Sequence, residues 1–222
     1  MSGRPGGVAA GVLGRTSAVA VVRLVVVVVV ATAVISTFFD TASRATVNPF
    51  NFFGYFTMQS NIMASAVLLL AAVLQSRGVG APGWLVPLQA ATTTFMLVVG
   101  VVYNLLLAGL AGGVELPWAN WVLHVGFPVY VLLDWLLLTP RTRLSFRVLR
   151  LVLAYPLVWL LVVLVRGATD GWVPYPFLDP ASGYGSVLLH VLGIAAGFAL
   201  FGALVVLSSR LPVMSRAPTA GR

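Results

Sequence analysis

The chain has 222 residues, of which 60% are hydrophobic and only 8% are charged, with a formal net charge of +8. Soluble domains carry roughly 25% charged residues, so this composition excludes an ordinary soluble globular domain and predicts a chain that lies mostly in lipid. There are no cysteines, which excludes structural disulfides and thiolate metal sites. We expect neither a metal nor a cofactor, because no metal-ligand cluster, phosphate loop or dinucleotide fingerprint is present.

Six hydrophobic stretches reach the length of about 20 residues that a transmembrane helix needs. The connections between them are short and rich in Gly and Pro, which leaves no room for a separate soluble domain. The sequence therefore predicts an all-α polytopic membrane protein, with six transmembrane helices in one bundle over residues 17–209 and tails at 1–16 and 210–222. The predicted spans are 17–39, 52–76, 84–111, 118–138, 144–165 and 184–208.

The first span also has features of a secretory signal. Arg4 and Arg15 precede its apolar run, and residues 31–33 read Ala-Thr-Ala, like a cleavage site. The apolar run is longer than the 7 to 15 residues of a signal peptide, however, so we expect a retained helix.

The arginines predict the orientation of the bundle. All thirteen basic residues are arginine, and the composition, rich in Ala, Val and Gly, is typical of a bacterium with a GC-rich genome. The positive-inside rule then places both tails in the cytoplasm, with the protein in the bacterial cytoplasmic membrane. The arginines on this side are Arg4, Arg15, Arg77, Arg141, Arg143, Arg147, Arg150, Arg210, Arg216 and Arg222.

The opposite loops carry the reverse balance of charge. They hold only two arginines and four of the five acids, namely Arg44, Arg166, Asp40, Glu115, Asp170 and Asp179. The positive charge is thus an orientation signal and a contact for anionic lipid, and we expect no nucleic-acid partner.

Two polar residues lie where lipid would leave unpaired polar groups unsatisfied. Thr57 and His124 belong to the second and fourth spans, which enter from the same predicted outer face. Counted from the starts of those spans, both lie roughly 8 to 9 Å below that face. A hydroxyl and an imidazole are the minimum requirement for nucleophilic catalysis, so we identify them as the candidate catalytic pair.

Further polar side chains fall at a similar depth. Asn61 shares a helix face with Thr57, while Tyr103, Asn104 and His190 lie roughly 10 Å deep in other spans. Asn61 or Asn104 are candidate donors to an oxyanion, and His190 is a candidate substrate contact. A backbone carbonyl or Tyr103 is the available partner to orient His124. Each of these residues can instead simply hydrogen-bond a neighbouring helix.

The last outer loop, residues 166–180, is unusually aromatic. Prolines on both sides of Tyr175 prevent the segment from continuing a helix. Trp172, Tyr175 and Phe177 are typical of an interfacial anchor, and they equally fit a lid that packs over the polar layer and shapes access for an acyl chain.

Asp134 is too far from His124 to serve as a triad acid. It lies ten residues further along the same span, about 15 Å deeper. We expect a structural ion pair instead, with Arg77, Arg143 or Arg147 as its partner.

These motifs resemble a known family. The segments 55–57, 120–128 with an acid at Asp134, and 172–179 are similar in order and rough spacing to the androgen-induced-gene / androgen-dependent TFPI-regulating protein family. The resemblance implies a six-span membrane hydrolase that cleaves fatty acid esters of hydroxy fatty acids. By position it makes Thr57 the nucleophile and His124 its partner.

Two departures bear on the substrate. Asn61 and His190 are not features of the animal members, and that lipid class is not an assumed substrate in a bacterium. We therefore expect a lipid or related acyl ester as the partner. Two other classes of function stay open at this point, a membrane transporter or channel and a non-enzymatic structural or regulatory membrane protein.

Overall fold

The structure, a computed structural model, describes residues 6–110, 116–140 and 142–211, with side chains from residue 18 onward. Within these ranges helices joined by turns and loops are the only regular secondary structure. Several of the charged residues used to predict the orientation lie outside the described residues, namely Arg4, Glu115, Arg141, Arg216 and Arg222. The side chain of Arg15 lies outside them too. Most of the predicted carboxyl tail lies outside them as well.

The prediction of an all-α polytopic bundle is confirmed. In the described residues six helical segments are long and apolar enough to cross a membrane: Ala18–Arg44, Phe56–Ser76, Leu85–Leu107, Pro117–Leu137, Val148–Thr169 and Tyr184–Ser208. The helices are α1 (Gly6–Arg44), α2 (Pro49–Phe52), α3 (Phe56–Ser76), α4 (Leu85–Val102), α5 (Pro117–Trp121), α6 (Phe127–Leu137), α7 (Val148–Thr169) and α8 (Tyr184–Ser208). Because α1 begins at Gly6, residues 6–16 of the predicted tail are helical.

Two spans contain π-helical turns. Tyr103–Leu107 continues α4, and we call it the first π segment. Val122–Gly126 joins α5 to α6, and we call it the second π segment. Such turns are rare overall, but those that occur are often found at functional sites. Here they contain Tyr103, Asn104 and His124, three of the polar residues that the sequence singled out.

The second span begins later than its apolar run. Asn48 Oδ1 accepts hydrogen bonds from the backbone N–H groups of Phe50 and Asn51, and Pro49 occupies the first turn. This cap starts the separate short helix α2, so α3 itself begins only at Phe56.

The first turn of α3 lies well inside the bundle. The Trp159 indole N–H donates to the Gly54 carbonyl over 2.9 Å, and the Phe56 ring lies 5.3 Å from Trp159 and 5.6 Å from Phe198 between centroids. Trp159 is ten residues from the end of α7 at Thr169, which corresponds to about 15 Å along that helix. The first turn of α3 therefore packs against the middle of α7 and α8.

The prediction that Asp134 pairs with Arg77, Arg143 or Arg147 is wrong. Its carboxylate accepts two hydrogen bonds from Arg23 of α1, from Nε over 2.8 Å and from Nη2 over 3.0 Å. Both side chains are about 95% buried, at 4% and 5% exposure. Arg23 Nη1 also donates to Gln75 of α3. The pair joins α1, α3 and α6.

Candidate functional site

A cavity of about 110 Å³ lies between α3, α4, α7, α8 and the loop before α8. Apolar side chains form nearly all of its wall, including Val99, Pro156, Leu160, Ile194 and Phe198. Three of the lining residues carry a hydroxyl group, namely Thr57, Tyr103 and Tyr175. The Tyr103 hydroxyl is bonded to Asn120, so the cavity is an apolar space with few polar groups.

Thr57 and Tyr175 form the polar side of this cavity. The Thr57 backbone N–H donates to Tyr175 Oη over 3.3 Å, and the two hydroxyl oxygens lie 3.5 Å apart. Both residues are buried. Tyr55, the residue before α3, supplies no side-chain cap, so the Tyr175 hydroxyl acts as the acceptor for the free N–H of this helix end.

The position of Thr57 favours negative charge on its oxygen. It lies in the first turn of a 21-residue helix, where free N–H groups and the helix dipole stabilise an anion. Burial raises the pKa of Tyr175 to about 12, although its hydrogen bonds with Thr57 act in the opposite direction. Tyr175 therefore remains a neutral phenol that can donate a hydrogen bond at physiological pH.

The aromatic loop folds into the bundle to deliver Tyr175. The Tyr175 ring is stacked on Phe177 at 5.2 Å between centroids. Trp172 packs so closely on Gly54 that a Cβ there would come within 2.6 Å of its ring. The Arg166 guanidinium lies 4.3 Å from the Trp172 ring centre. These contacts hold the loop over the start of α3.

His124 is oriented by both partners that the sequence left open. Its Nδ1 lies 3.0 Å from the Asn120 carbonyl oxygen, and a carbonyl only accepts, so Nδ1 carries a proton. The imidazole is stacked on the Tyr103 ring, with 3.6 Å between centroids. The Tyr103 hydroxyl accepts a hydrogen bond from Asn120 over 2.6 Å. In the neutral imidazole Nε2 is then unprotonated and available as a base.

Pro128 explains why Asn104 also turns toward this region. Proline has no N–H, so it cannot bond the carbonyl of His124 four residues earlier. Asn104 Nδ2 donates to that carbonyl over 3.4 Å and to the Gly100 carbonyl over 2.7 Å. With its amide N–H groups used in this way, Asn104 is not the oxyanion donor that the sequence suggested.

The same correction applies to Asn61. Its Nδ2 donates to the Thr57 carbonyl over 2.9 Å and to the Leu123 carbonyl over 3.4 Å. Asn61 is completely buried, and its role is to join α3 to the second π segment. The expected oxyanion function needs a free N–H, which these two bonds remove.

Thr57 and His124 are near each other in height but are not hydrogen-bonded. Asn61, one helical turn after Thr57, bonds to the carbonyl of Leu123, so His124 lies within about one turn, or 5.4 Å, of the level of Thr57. No hydrogen bond joins the two side chains, and Tyr103 rather than His124 lines the cavity. Proton transfer between them therefore requires a bridging water or a rearrangement of the side chains.

His190 lies outside the cavity. Its Nδ1 donates to the Ser186 carbonyl over 2.8 Å, and its ring faces Phe177 at 5.9 Å between centroids. Its neighbour Val191 lines the cavity instead. His190 supports the loop through Phe177, which does line the cavity, whereas Trp172 packs on Gly54 and does not line it.

The cavity wall contributed by α7 and α8 was missed in the sequence. In the sequence, the apolar residues of this wall cannot be distinguished from the apolar residues that face lipid. Pro156 inside α7 was the available signal, because an internal proline marks a helix that loses a backbone hydrogen bond and bends. Among the described residues no group of three or more His, Asp or Glu side chains could hold a metal ion.

No protein-family model, curated protein or solved structure matches this chain.

Proposed function

We propose that the chain is an integral-membrane ester hydrolase with Thr57 as the nucleophile and His124 as the base. The observation that carries this proposal is the apolar cavity whose buried polar side is the Thr57 hydroxyl, at a helix start and beside Tyr175. The resemblance to the androgen-induced-gene family supports the same reaction and the same two residues. The arginine distribution supports a bacterial cytoplasmic membrane with both termini inside.

The first half of the reaction forms an acyl-enzyme. His124 Nε2 receives the Thr57 hydroxyl proton through one water molecule, and the alkoxide bonds to the ester carbonyl carbon. The carbonyl oxygen becomes an oxyanion that accepts a hydrogen bond from the Tyr175 hydroxyl. When the oxyanion collapses, the bond to the alcohol breaks, and the alcohol leaves with the proton from His124.

The second half releases the acid. His124 Nε2 takes a proton from water, and the hydroxide bonds to the acyl carbon. Breaking the bond to Thr57 returns the proton to its oxygen. A secondary hydroxyl is a crowded nucleophile, so we expect slow turnover.

The test is ester hydrolysis by purified protein in lipid nanodiscs. Thr57→Ala and His124→Ala should each lower hydrolysis of a long-chain 4-methylumbelliferyl ester to the background rate, whereas Thr57→Ser should retain activity. Ser60→Ala is the matched control, because the Ser60 hydroxyl is buried on the same helix without a hydrogen-bond partner. Full activity in a folded Thr57→Ala variant would refute the proposal, and solute uptake into liposomes would favour a transporter.

A further inference from the structure

The cavity is too small to enclose a long acyl chain. Its volume is about 110 Å³, while a dry apolar cavity of about 150 Å³ holds one benzene molecule. A substrate with a longer chain must therefore extend out of the cavity while its ester group lies at Thr57.

One part of the cavity wall faces outward. Among the lining residues that the structure describes, the exposed ones are Leu157 of α7, at 59%, and Ala195 of α8. Each belongs to a set of lining residues with helical spacing on its own helix. These sets are 153, 156, 157 and 160 on α7 and 191, 194, 195 and 198 on α8.

The two exposed residues lie at the same height. Leu157 is twelve residues before the end of α7 at Thr169, and Ala195 is eleven residues after the start of α8 at Tyr184. At 1.5 Å per residue these positions are about 18 and 17 Å along their helices. Both lie about halfway across a hydrocarbon layer of about 30 Å, level with acyl chains rather than with water.

The surroundings of this opening are apolar. Pro156, next to Leu157, is buried against the cavity, and its missing N–H loosens α7 at this turn. Neighbouring side chains on the outer face, such as Val158 and Leu161, are exposed and apolar. An opening with such a rim at mid-depth accepts a hydrocarbon chain and gives no favourable path to a polar solute.

We propose that an acyl chain enters laterally from the bilayer core between α7 and α8, past Leu157 and Ala195, and that its ester group then lies against Thr57. The substrate class is a long-chain acyl lipid dissolved in the membrane, with part of the chain remaining in the bilayer during reaction. The hydrolytic part of this statement rests on the proposed function, whereas the binding of the chain does not.

Binding can be tested without catalysis. We would place the Thr57→Ala protein in nanodiscs of phosphatidylcholine and phosphatidylglycerol with a diazirine-bearing palmitic acid, irradiate, and map the adducts by mass spectrometry. Adducts should concentrate on the peptides around Leu157 and Ala195. Ala195→Phe should reduce them several-fold, and Ala196→Phe, which changes the next exposed alanine outside the cavity wall, should not.

Hydrolysis gives the second measurement. In protein that retains Thr57, Ala195→Phe should lower the ratio of palmitoyl ester hydrolysis to butyryl ester hydrolysis by about tenfold. An effect of this size is typical of a changed contact in an apolar pocket. Ala196→Phe should leave the ratio unchanged. Equal adducts in both phenylalanine variants, or adducts spread evenly over all helices, would overturn the lateral path. Localised adducts without any hydrolysis would retain the path and refute the proposed function.

Discussion

Removing the Tyr175 hydroxyl tests the proposed role of the loop most sharply. In Tyr175→Phe the ring and its stacking on Phe177 remain, while the Thr57 N–H loses its acceptor at 3.3 Å and the oxyanion loses its donor. Loss of one such donor lowers kcat by roughly 10²- to 10³-fold, or about 2.7 to 4 kcal/mol. Leaving a buried N–H unpaired destabilises the fold by about 1 to 3 kcal/mol.

The assay is single-turnover hydrolysis in nanodiscs together with thermal unfolding of the same samples. Tyr55→Phe is the matched control, because Tyr55 lies 5.5 Å from Tyr175 between ring centroids, and its hydroxyl forms no hydrogen bond within the part of the chain that the structure describes. We expect a large fall in the rate for Tyr175→Phe and a small change for Tyr55→Phe. Equal rates for the two folded variants would refute the assignment of Tyr175 as the oxyanion donor.

Other consequences of the structure can be measured independently. Arg23→Ala should destabilise the protein by about 3 to 5 kcal/mol, because it leaves a buried carboxylate unpaired, whereas Arg23→Met with Asp134→Leu should be nearly neutral in denaturant unfolding. Gly54→Ala should displace Trp172 and cost about 1 to 3 kcal/mol, with lower activity, whereas Gly80→Ala, with open space around it, should change neither. Since burial raises the pKa of Tyr175 to about 12, its contribution to stability should be complete below pH 10 and lost as the pH rises through 12. In ultraviolet titration the wild type should show a tyrosine transition near pH 12 that Tyr175→Phe lacks. If the transition that Tyr175→Phe lacks lies near pH 10 instead, the burial of Tyr175 is contradicted.

The six transmembrane spans were predictable because the length of a hydrophobic stretch is enough to identify them. The ends of the spans were less predictable, since the apolar run that begins at residue 52 gives no sign that the separate helix α2 ends there. The Asn48-Pro49 pair is the signal for that break, because Asn caps a helix whose first turn begins with Pro. A short helix followed by a recessed α3 is what sets Thr57 deep in the bundle.

Part of the candidate site was predictable from the sequence, but the directions in which its side chains turn were not. Depth counted along a helix brought Thr57 and His124 to nearly one level, but it carried no information about which way a side chain turns. The structure directs the amides of Asn61 and Asn104 to backbone carbonyls and leaves the Tyr175 hydroxyl beside Thr57.

The partner of Asp134 was predicted wrongly for a different reason. Arg23 lies inside an apolar run, where its charge was hidden among valines, while the arginines of the loops were the obvious partners for Asp134. A buried arginine needs a buried carboxylate, so the two intramembrane charges predict each other once both are considered.

The covalent adduct at Thr57 tests the central claim most directly. Purified protein in nanodiscs would be treated with a long-chain fluorophosphonate, digested, and sequenced by mass spectrometry. We predict one phosphonylated peptide with the adduct on Thr57, strongly reduced by His124→Ala and absent from Thr57→Ala. Labelling that persists at the same rate in folded Thr57→Ala, or an adduct on Ser60 in the wild type, would contradict the assignment of Thr57 as the nucleophile.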